Sequence, residues 1–432
     1  MKHRRRLAPP ARCRPAARSA AAHLATALLL AAAILPLAIP AIASVEEFST
    51  FAIAPQEQDD ESVLDHFLTR MPRAWRDEWA RSPGGFRTSQ GCLTSGQWFI
   101  DTDFKARAAM GDRAWFGVDL FQSESDILSV QNLDLSFHFP QAVGSAFAMF
   151  RPSADKAAQD FALGWETGAD TSTFQMRATW TLEDVFNNFW AFRQTQVGGL
   201  SEPYERRPYE PALFLAVRRP DWRAEVGGKW LTPSRKRLAD LYTAEQLMQR
   251  ELWGAAAHAA AEVRVGAVTL EARSEHRQAR GHDRPVAPTA IERLDYRRQW
   301  SAEGAVRARL PNARTEVETR YLYQSRREID GPRVGAASLR VEDRLINLEV
   351  AHEFGPSTTA RVGGIFDRIS VDRANRNDFS YGTRNESRAY IGLAVRIGRV
   401  RIAGIEGIEL DPERYEVWLV HDKGFLQLQM TF

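Results

Sequence analysis

The sequence predicts an all-β fold, a transmembrane antiparallel β-barrel preceded by a short amphipathic helical segment. Three observations support this prediction. From about Trp98 onward, side chains alternate between apolar and polar at every second residue, which is the period of a strand. Tight turns alternate with long polar connections, and the chain ends on one more alternating strand. We count about 16 strands, within a range of roughly 14–18, as a porin-sized barrel requires.

Composition and cysteine usage exclude several other classes of protein. Lys+Arg 57 and Asp+Glu 55 leave a formal net charge of +2, which argues against nucleic-acid binding. Hydrophobic residues make up 44% of the chain, too few for a bundle of membrane-spanning helices. Cys13 lies in the predicted leader and leaves Cys92 without an internal disulfide partner. No C-x-x-C or C-x-x-C-H pattern occurs, which removes zinc ribbons, thioredoxin-like redox pairs and c-type haem attachment. We predict no metal site and no cofactor.

The N-terminus has the features of a secretory signal peptide. Residues 1–22 are rich in arginine and contain no acidic residue, and a short apolar run follows from Leu24 to Leu35. Ala41-Ile42-Ala43 then supplies a small-x-small cleavage site. The alternative is an uncleaved anchor helix, because the apolar stretch approaches the ~20 residues that span a bilayer. The prolines after the run and the cleavage site favour removal of residues 1–43.

Residues 44–97 are predicted to form an N-terminal segment that contains an amphipathic helix. Apolar side chains recur there at steps of three and four residues, and Pro83-Gly84-Gly85 ends the pattern. Three interpretations remain open: a helix packed on the following domain, a plug in the lumen or periplasm, and a docking site for a partner. The apolar side chains of this helix are Val63, Leu64, Phe67, Leu68, Met71, Trp75 and Trp79.

The barrel is predicted over residues 98–432. On one strand, Leu133, Leu135 and Phe137 alternate with Asp134 and Ser136, and similar patterns recur to the C-terminus. A soluble sandwich also alternates, but here the polar parity carries opposite charges repeatedly while the apolar parity carries few. Lipid accepts such an apolar face without a second layer of protein, so the pattern favours a membrane barrel.

Two kinds of connection separate the strands. Tight turns at positions such as Gly266 and Gly398 alternate with long polar segments, which predicts turns at one end of the barrel and long loops at the other. The predicted long loops are 199–210, 232–250, 279–290, 328–340 and 372–387.

The polar parity is predicted to line the lumen. Cations and anions on opposite walls would select small solutes in a water-filled pore, whereas interleaved charges would pair and close the barrel. Arginine suits carboxylate or phosphate cargo, because the guanidinium binds oxyanions through a planar fork. The candidate lumen-wall residues are Arg223, Glu225, Arg264, Glu271, Arg273, Arg307, Arg309, Arg314, Glu316, Glu318 and Arg320.

The last nine residues carry the only motif. Leu426, Leu428, Met430 and Phe432 share one parity, and glutamine and threonine occupy the other. Such a strand, ending on phenylalanine, resembles the terminal strand of bacterial outer-membrane β-barrels. The resemblance implies a place in the bacterial outer membrane, contact with outer-membrane lipid, and recognition of these four side chains by the barrel-assembly machinery. It points to no particular family of porins or transporters.

Three functions follow from these observations. The first is a porin-like channel for small polar or anionic solutes. The second is a plugged, non-conducting barrel that acts as a scaffold, as a homo-oligomer or for a periplasmic or envelope partner that docks on residues 44–97. The third, an outer-membrane hydrolase, is the weakest, because the chain lacks the common catalytic motifs and no Ser or Asp is marked out beside its histidines. We therefore predict no enzyme and no catalytic residues. The histidines considered are His258, His276, His282 and His352.

Overall fold

A computed structural model shows a closed antiparallel β-barrel of 18 strands. Among the residues that it describes, no helix has the length and apolar character needed to cross a membrane. The described residues are 79, 82, 84–92, 98–111, 114–125, 129–152, 158–168, 173–187, 200–201, 204–240, 246–286, 291–311, 314–332, 337–375, 378–410 and 421–431. The predicted signal peptide lies outside them.

The strands follow one another around the barrel in chain order, and each pairs antiparallel with its neighbours. β7 pairs with β10, and β20 pairs with β1 to close the ring. The short β8 and β9 pair with the far end of β11 and do not belong to the ring. The strands are β1 (Gly85–Cys92), β2 (Trp98–Ala109), β3 (Trp115–Ser125), β4 (Ser129–Pro140), β5 (Ser145–Arg151), β6 (Ala158–Thr167), β7 (Phe174–Asn187), β8 (Leu200–Ser201), β9 (Tyr204–Arg206), β10 (Tyr209–Arg218), β11 (Trp222–Asp240), β12 (Gln246–Val265), β13 (Val268–Pro285), β14 (Arg293–Arg309), β15 (Thr315–Pro332), β16 (Ala337–Gly355), β17 (Thr358–Asn375), β18 (Asp378–Ile397), β19 (Val400–Glu409) and β20 (His421–Thr431).

The first strand corrects the predicted start of the barrel. β1 pairs along its length with both β2 and β20, so the barrel begins at Gly85 and not at residue 98. Its sequence, GFRTSQGC, has only one large apolar side chain, Phe86, and therefore lacks the alternation that marks the other strands. β1 also makes the strand count even, at 18 and not about 16. Of the predicted helix in 44–97, the structure describes only Trp79.

Alternate residues of every strand in the ring face opposite sides of the wall. Residues directly opposite each other on paired strands point the same way, so the registers carry one assignment around the barrel. One parity, called outward here, leaves large apolar side chains exposed, such as Leu348 at 47% and Ile391 at 61%. The other parity faces the lumen and buries charged side chains, including Lys229 and Arg320 at 1%. The molecule is therefore apolar outside and polar inside.

The predicted long loops are largely strand. β11 to β18 run for 17 to 20 residues each and include most of 232–250, 279–290, 328–340 and 372–387. Cross-strand ion pairs hold these polar extensions in register, as between Arg250 and Asp283 at 2.7 Å. The other ten strands of the ring have only 7 to 14 residues.

The barrel thus has one high side, β11 to β18, which we call the tall wall. Its strands are joined in pairs by tight turns, such as the one that links Val265 to Val268 through Gly266. Gly266 has φ +62°, a left-handed conformation in which glycine carries no steric cost. We call the end with these turns the turn end and the opposite end the loop end.

Candidate functional site: the barrel lumen

The candidate lumen-wall residues lie on the strands of the tall wall. Those within its strands all share the parity opposite to the exposed apolar residues, so their side chains face the lumen. Arg223 and Glu225 are on β11, Arg264 on β12, Glu271 and Arg273 on β13, Arg307 and Arg309 on β14, and Glu316, Glu318 and Arg320 on β15; Arg314 immediately precedes β15.

Five charged side chains form a continuous belt across β13, β14 and β15. Arg307 donates from Nε to Glu318 at 2.5 Å and from Nη2 to Glu271. Arg320 donates from Nε to Glu318 at 2.8 Å and pairs through Nη1 with Glu303. We call this group, Glu271, Arg307, Glu318, Arg320 and Glu303, the charge belt. Its cations and anions interleave, which is the arrangement expected of a closed barrel.

Both arginines of the charge belt are almost completely buried. The side chain of Arg307 is 4% exposed and that of Arg320 is 1% exposed. A buried charge is tolerated only when partners satisfy it, and each guanidinium here has two carboxylates. The belt therefore fixes the spacing of three strands on the lumen side.

A hydrogen-bonded group continues the belt across β16, β17 and β18. The Tyr390 hydroxyl donates to Glu349 at 2.7 Å and lies 3.0 Å from Asn347 Oδ1. Arg361 approaches the same Glu349 carboxylate at 3.7 Å. Gly363 makes room for the Tyr390 ring, because a Cβ at that glycine would overlap Tyr390 Cζ and the hydroxyl oxygen.

We expect Gly363→Ala to lower the free energy of unfolding by about 1–3 kcal/mol, because the added methyl group displaces a packed ring. Gly364→Ala is the matched control, since its nearest contact would be 3.7 Å away, an ordinary van der Waals distance. Guanidinium chloride unfolding of both variants in detergent would measure the difference. Equal free energies of unfolding for the two variants would show that the Tyr390 ring does not pack against Gly363.

A second set of buried pairs lies on β4 and β5 and on β10 and β11. Arg151 binds Asp134 through two hydrogen bonds of 2.5 and 2.8 Å. Lys229 lies 3.2 Å from Glu210, with the two side chains 1% and 5% exposed. These cations too face carboxylates on neighbouring strands, so charges also interleave outside the charge belt.

Apolar side chains also face the lumen, on β16 and β17. Leu345 and Ile365 are 0% exposed and Ile369 is 2% exposed, although all three share the parity of the charge belt. In a barrel of 18 strands, wall side chains are too short to fill the interior. These three apolar side chains are therefore shielded from solvent although they have lumen parity.

Trp79 contacts residues of β1 and β2 that have lumen parity. Lys105 Nζ donates to the Trp79 carbonyl and lies 4.8 Å from the centre of its ring. Arg87 stacks over the same ring at 5.2 Å, and a Cβ at Gly85 would meet it at 2.6 Å. Gly85, Arg87 and Lys105 have lumen parity near the turn end, so Trp79 lies on the lumen side of the wall there.

Other candidate residues form more exposed pairs. Arg223 lies 3.2 Å from Glu262, Arg273 lies 3.9 Å from Glu275, and Arg309 lies 3.1 Å from Glu353. Their arginine side chains are 43%, 51% and 50% exposed. Among the described residues, Glu225, Arg264 and Glu316 form no ion pair, and no group of three or more side chains is suited to hold a metal.

Several lumen residues were not among the predicted candidates. Glu303 and Lys229 lie on alternating strands that the sequence marks clearly, but their partners depend on the strand register. Asp134, Arg151 and Glu210 come from strands where charge is sparse. Only the pairing of strands in space brings these residues together.

The comparisons with known proteins concern the fold. No family model and no curated protein matches the sequence. Similar solved structures are outer-membrane β-barrels. CdiB from Acinetobacter baumannii is 12% identical with a TM-score of 0.42, and the match covers 81% of this chain and 60% of that one.

For two further similar structures, the match covers almost the full length of the other chain. OmpT, an outer membrane protein of Vibrio cholerae, is 10% identical with a TM-score of 0.37, and 81% of this chain and 96% of that one are covered. OccK11 from Pseudomonas aeruginosa is 13% identical with a TM-score of 0.34, with coverage of 81% and 95%. At these identities the likeness is one of fold: the chain is an all-β closed barrel whose structural neighbours are outer-membrane proteins.

Proposed function

We propose that this protein is a barrel of the bacterial outer membrane whose lumen is closed to solutes at rest. The observation that carries the proposal is the burial of lumen side chains, both charged and apolar, as in Arg320 at 1% and Leu345 at 0%. Open pores keep such side chains in water. The plugged barrel is thus favoured over the permanently open porin.

The outward face supports a place in the membrane. Large apolar side chains such as Trp230 and Leu393 are about half exposed there, which lipid tolerates and water does not favour. On β20, Leu426 and Met430 have this outward parity and are 47% and 37% exposed. These positions fit recognition by the assembly machinery, and Phe432 lies outside the described residues.

A closed barrel is compatible with a scaffold function, in which an envelope partner binds to the rim or to the N-terminal segment. It also suits a channel that opens only when the filling of the lumen is released. Trp79 supports the second mechanism, because it lies against residues of lumen parity near the turn end. We therefore take residues 44–78, which precede it in the sequence, as the segment whose removal tests this mechanism.

Planar-bilayer conductance tests the proposal. We expect no stepwise ion currents from the protein purified from outer membranes, and stable current steps after deletion of residues 44–78. The deletion spares β1 and Trp79, so the ring of strands is kept. Heat-modifiable migration of both proteins on gels is the control for folding. Stepwise currents from the intact protein would overturn the closed state.

A second candidate function, an anion-selective channel in the open state, rests on the exposed arginines of the lumen. In two of the pairs, Arg223 with Glu262 and Arg273 with Glu275, the arginine is 43–51% exposed and the carboxylate 10–18%. The accessible side of each pair is therefore positive. The reversal potential of the deletion protein in a potassium chloride gradient measures this preference, and a cation-selective value would contradict it.

A further inference from the structure

Four arginines on the tall wall face outward, away from the lumen. Arg298, Arg327, Arg344 and Arg368 lie on β14, β15, β16 and β17, one on each strand, and all four are exposed. Their parity is that of the apolar residues in contact with lipid. We call these four side chains the arginine band.

The arginine band consists of two facing pairs. Arg298 is directly opposite Arg327 in the β14–β15 register, and Arg344 is directly opposite Arg368 in the β16–β17 register. Like charges at directly opposite positions destabilise a sheet. Two such pairs on neighbouring hairpins therefore call for an anion between the guanidinium groups.

The outward residues on the turn-end side of the arginine band are aromatic and apolar, so the band lies at the edge of the apolar outward surface. Trp300 is the next outward residue from Arg298, and its ring lies 5.2 Å from that of Tyr323 on β15. Phe366 is the next outward residue from Arg368, on the turn-end side, and is 47% exposed. Aromatic residues in this position form the girdle of a membrane barrel, so the arginines lie at the level of the lipid headgroups.

One protein carboxylate, that of Glu342, pairs with an arginine of the band. Glu342 is the nearest outward acid, and it pairs more closely with Arg340, at 2.6 Å, than with Arg344, at 3.6 Å. Among the described residues, Arg298, Arg327 and Arg368 form no ion pair. The outward face between β14 and β17 is accordingly positive at this level.

We propose that the arginine band binds the phosphate groups of an anionic lipid headgroup, one phosphate between the arginines of each facing pair. A guanidinium offers parallel N–H donors that match a phosphate, and the apolar surface below accommodates the acyl chains. The inference rests on the proposed membrane location, because only a membrane brings headgroups to this height.

Native mass spectrometry of the protein in micelles doped with phosphatidic acid tests the site. We expect the intact protein to retain the lipid, and Arg298→Gln with Arg327→Gln to reduce the retained fraction at least fivefold. Arg344→Gln with Arg368→Gln provides an independent second variant. The matched control is Arg223→Gln with Arg273→Gln, which removes the same charge from the lumen parity and leaves retention unchanged. The proposal would be overturned if both double variants of the arginine band retained as much phosphatidic acid as the intact protein.

Two further probes identify the source of the phosphate. Micelles doped with phosphatidylcholine, whose phosphate is neutralised by choline, are expected to give little retention. Inorganic phosphate at the same concentration is expected not to displace phosphatidic acid; if it does, the site serves a soluble anion and the lipid assignment fails. Heat-modifiable migration is checked first. A protein that forms no barrel refutes the proposed function, whereas a stable barrel without retained lipid refutes only this site.

Discussion

Replacement of Arg320 by alanine is expected to lower the free energy of unfolding by about 3–5 kcal/mol. Arg320 is 1% exposed and binds Glu318 and Glu303, so the substitution removes the arginine that pairs with Glu303 and one of the two arginines that bind Glu318. The cost arises mainly from the reduced compensation of these largely buried carboxylates and not from the attraction that is lost. Unfolding of the barrel by guanidinium chloride, followed by tryptophan fluorescence, measures the change.

The matched control for this prediction is Arg273→Ala. Arg273 has the same parity on β13, two strands from Arg320, but it is 51% exposed and lies 3.9 Å from its partner Glu275. Exposed pairs contribute less than about 1 kcal/mol. A double variant, Arg320→Met with Glu303→Gln, removes the cation together with one of its carboxylates and keeps Glu318 paired with Arg307, so it is expected to recover part of the stability. Similar losses for Arg320→Ala and Arg273→Ala would show that water reaches the charge belt.

Introduction of arginine on the outward face gives the second large effect. Leu348→Arg is expected to cost about 2–4 kcal/mol, because it places a charge in the middle of the apolar zone. Leu348 is 47% exposed in the isolated protein, so in a soluble protein the same substitution would have little effect. Unfolding from lipid vesicles measures the cost.

Ser370→Arg is the control, at the same parity but beyond the arginine band, directly opposite Glu342. Close to the surface of a bilayer an added arginine costs about 0–1 kcal/mol. The expected result is therefore a clear dependence on depth. Equal costs at Leu348 and Ser370 would contradict the assignment of the outward face to lipid.

The side of the barrel wall that each side chain faces was predictable from the sequence, because successive side chains of a strand point to opposite sides. The alternation along their strands indicates that Leu348 and Arg320 face opposite sides of the barrel wall. Many alternating strands of this kind predict the fold class. β1 was missed because Phe86 is its only large apolar residue. The extensions of the tall wall were predicted as loops because polar composition resembles that of loops, whereas the backbone ladder and pairs such as Arg250 with Asp283 hold them as strands.

The chemistry of the lumen was less predictable. Arg307 and Arg320 were candidates, but the choice between separated and interleaved charges depends on register. Glu271 and Arg307 are 36 residues apart in the chain, and they meet only because β13 and β14 pair as they do. The same limit applies to the facing arginines of the outward surface.

The unequal strand lengths give the loop-end rim of the described barrel an oblique shape. A strand rises about 3.3 Å per residue, so the roughly eight extra residues of the average tall-wall strand correspond to about 20 Å of height once the strands are tilted. The high side, on β11 to β18, carries dense charge of both signs. Among the described residues, the backbone ladder on this side therefore extends well beyond that of the other ten strands and holds its charges at fixed heights above them.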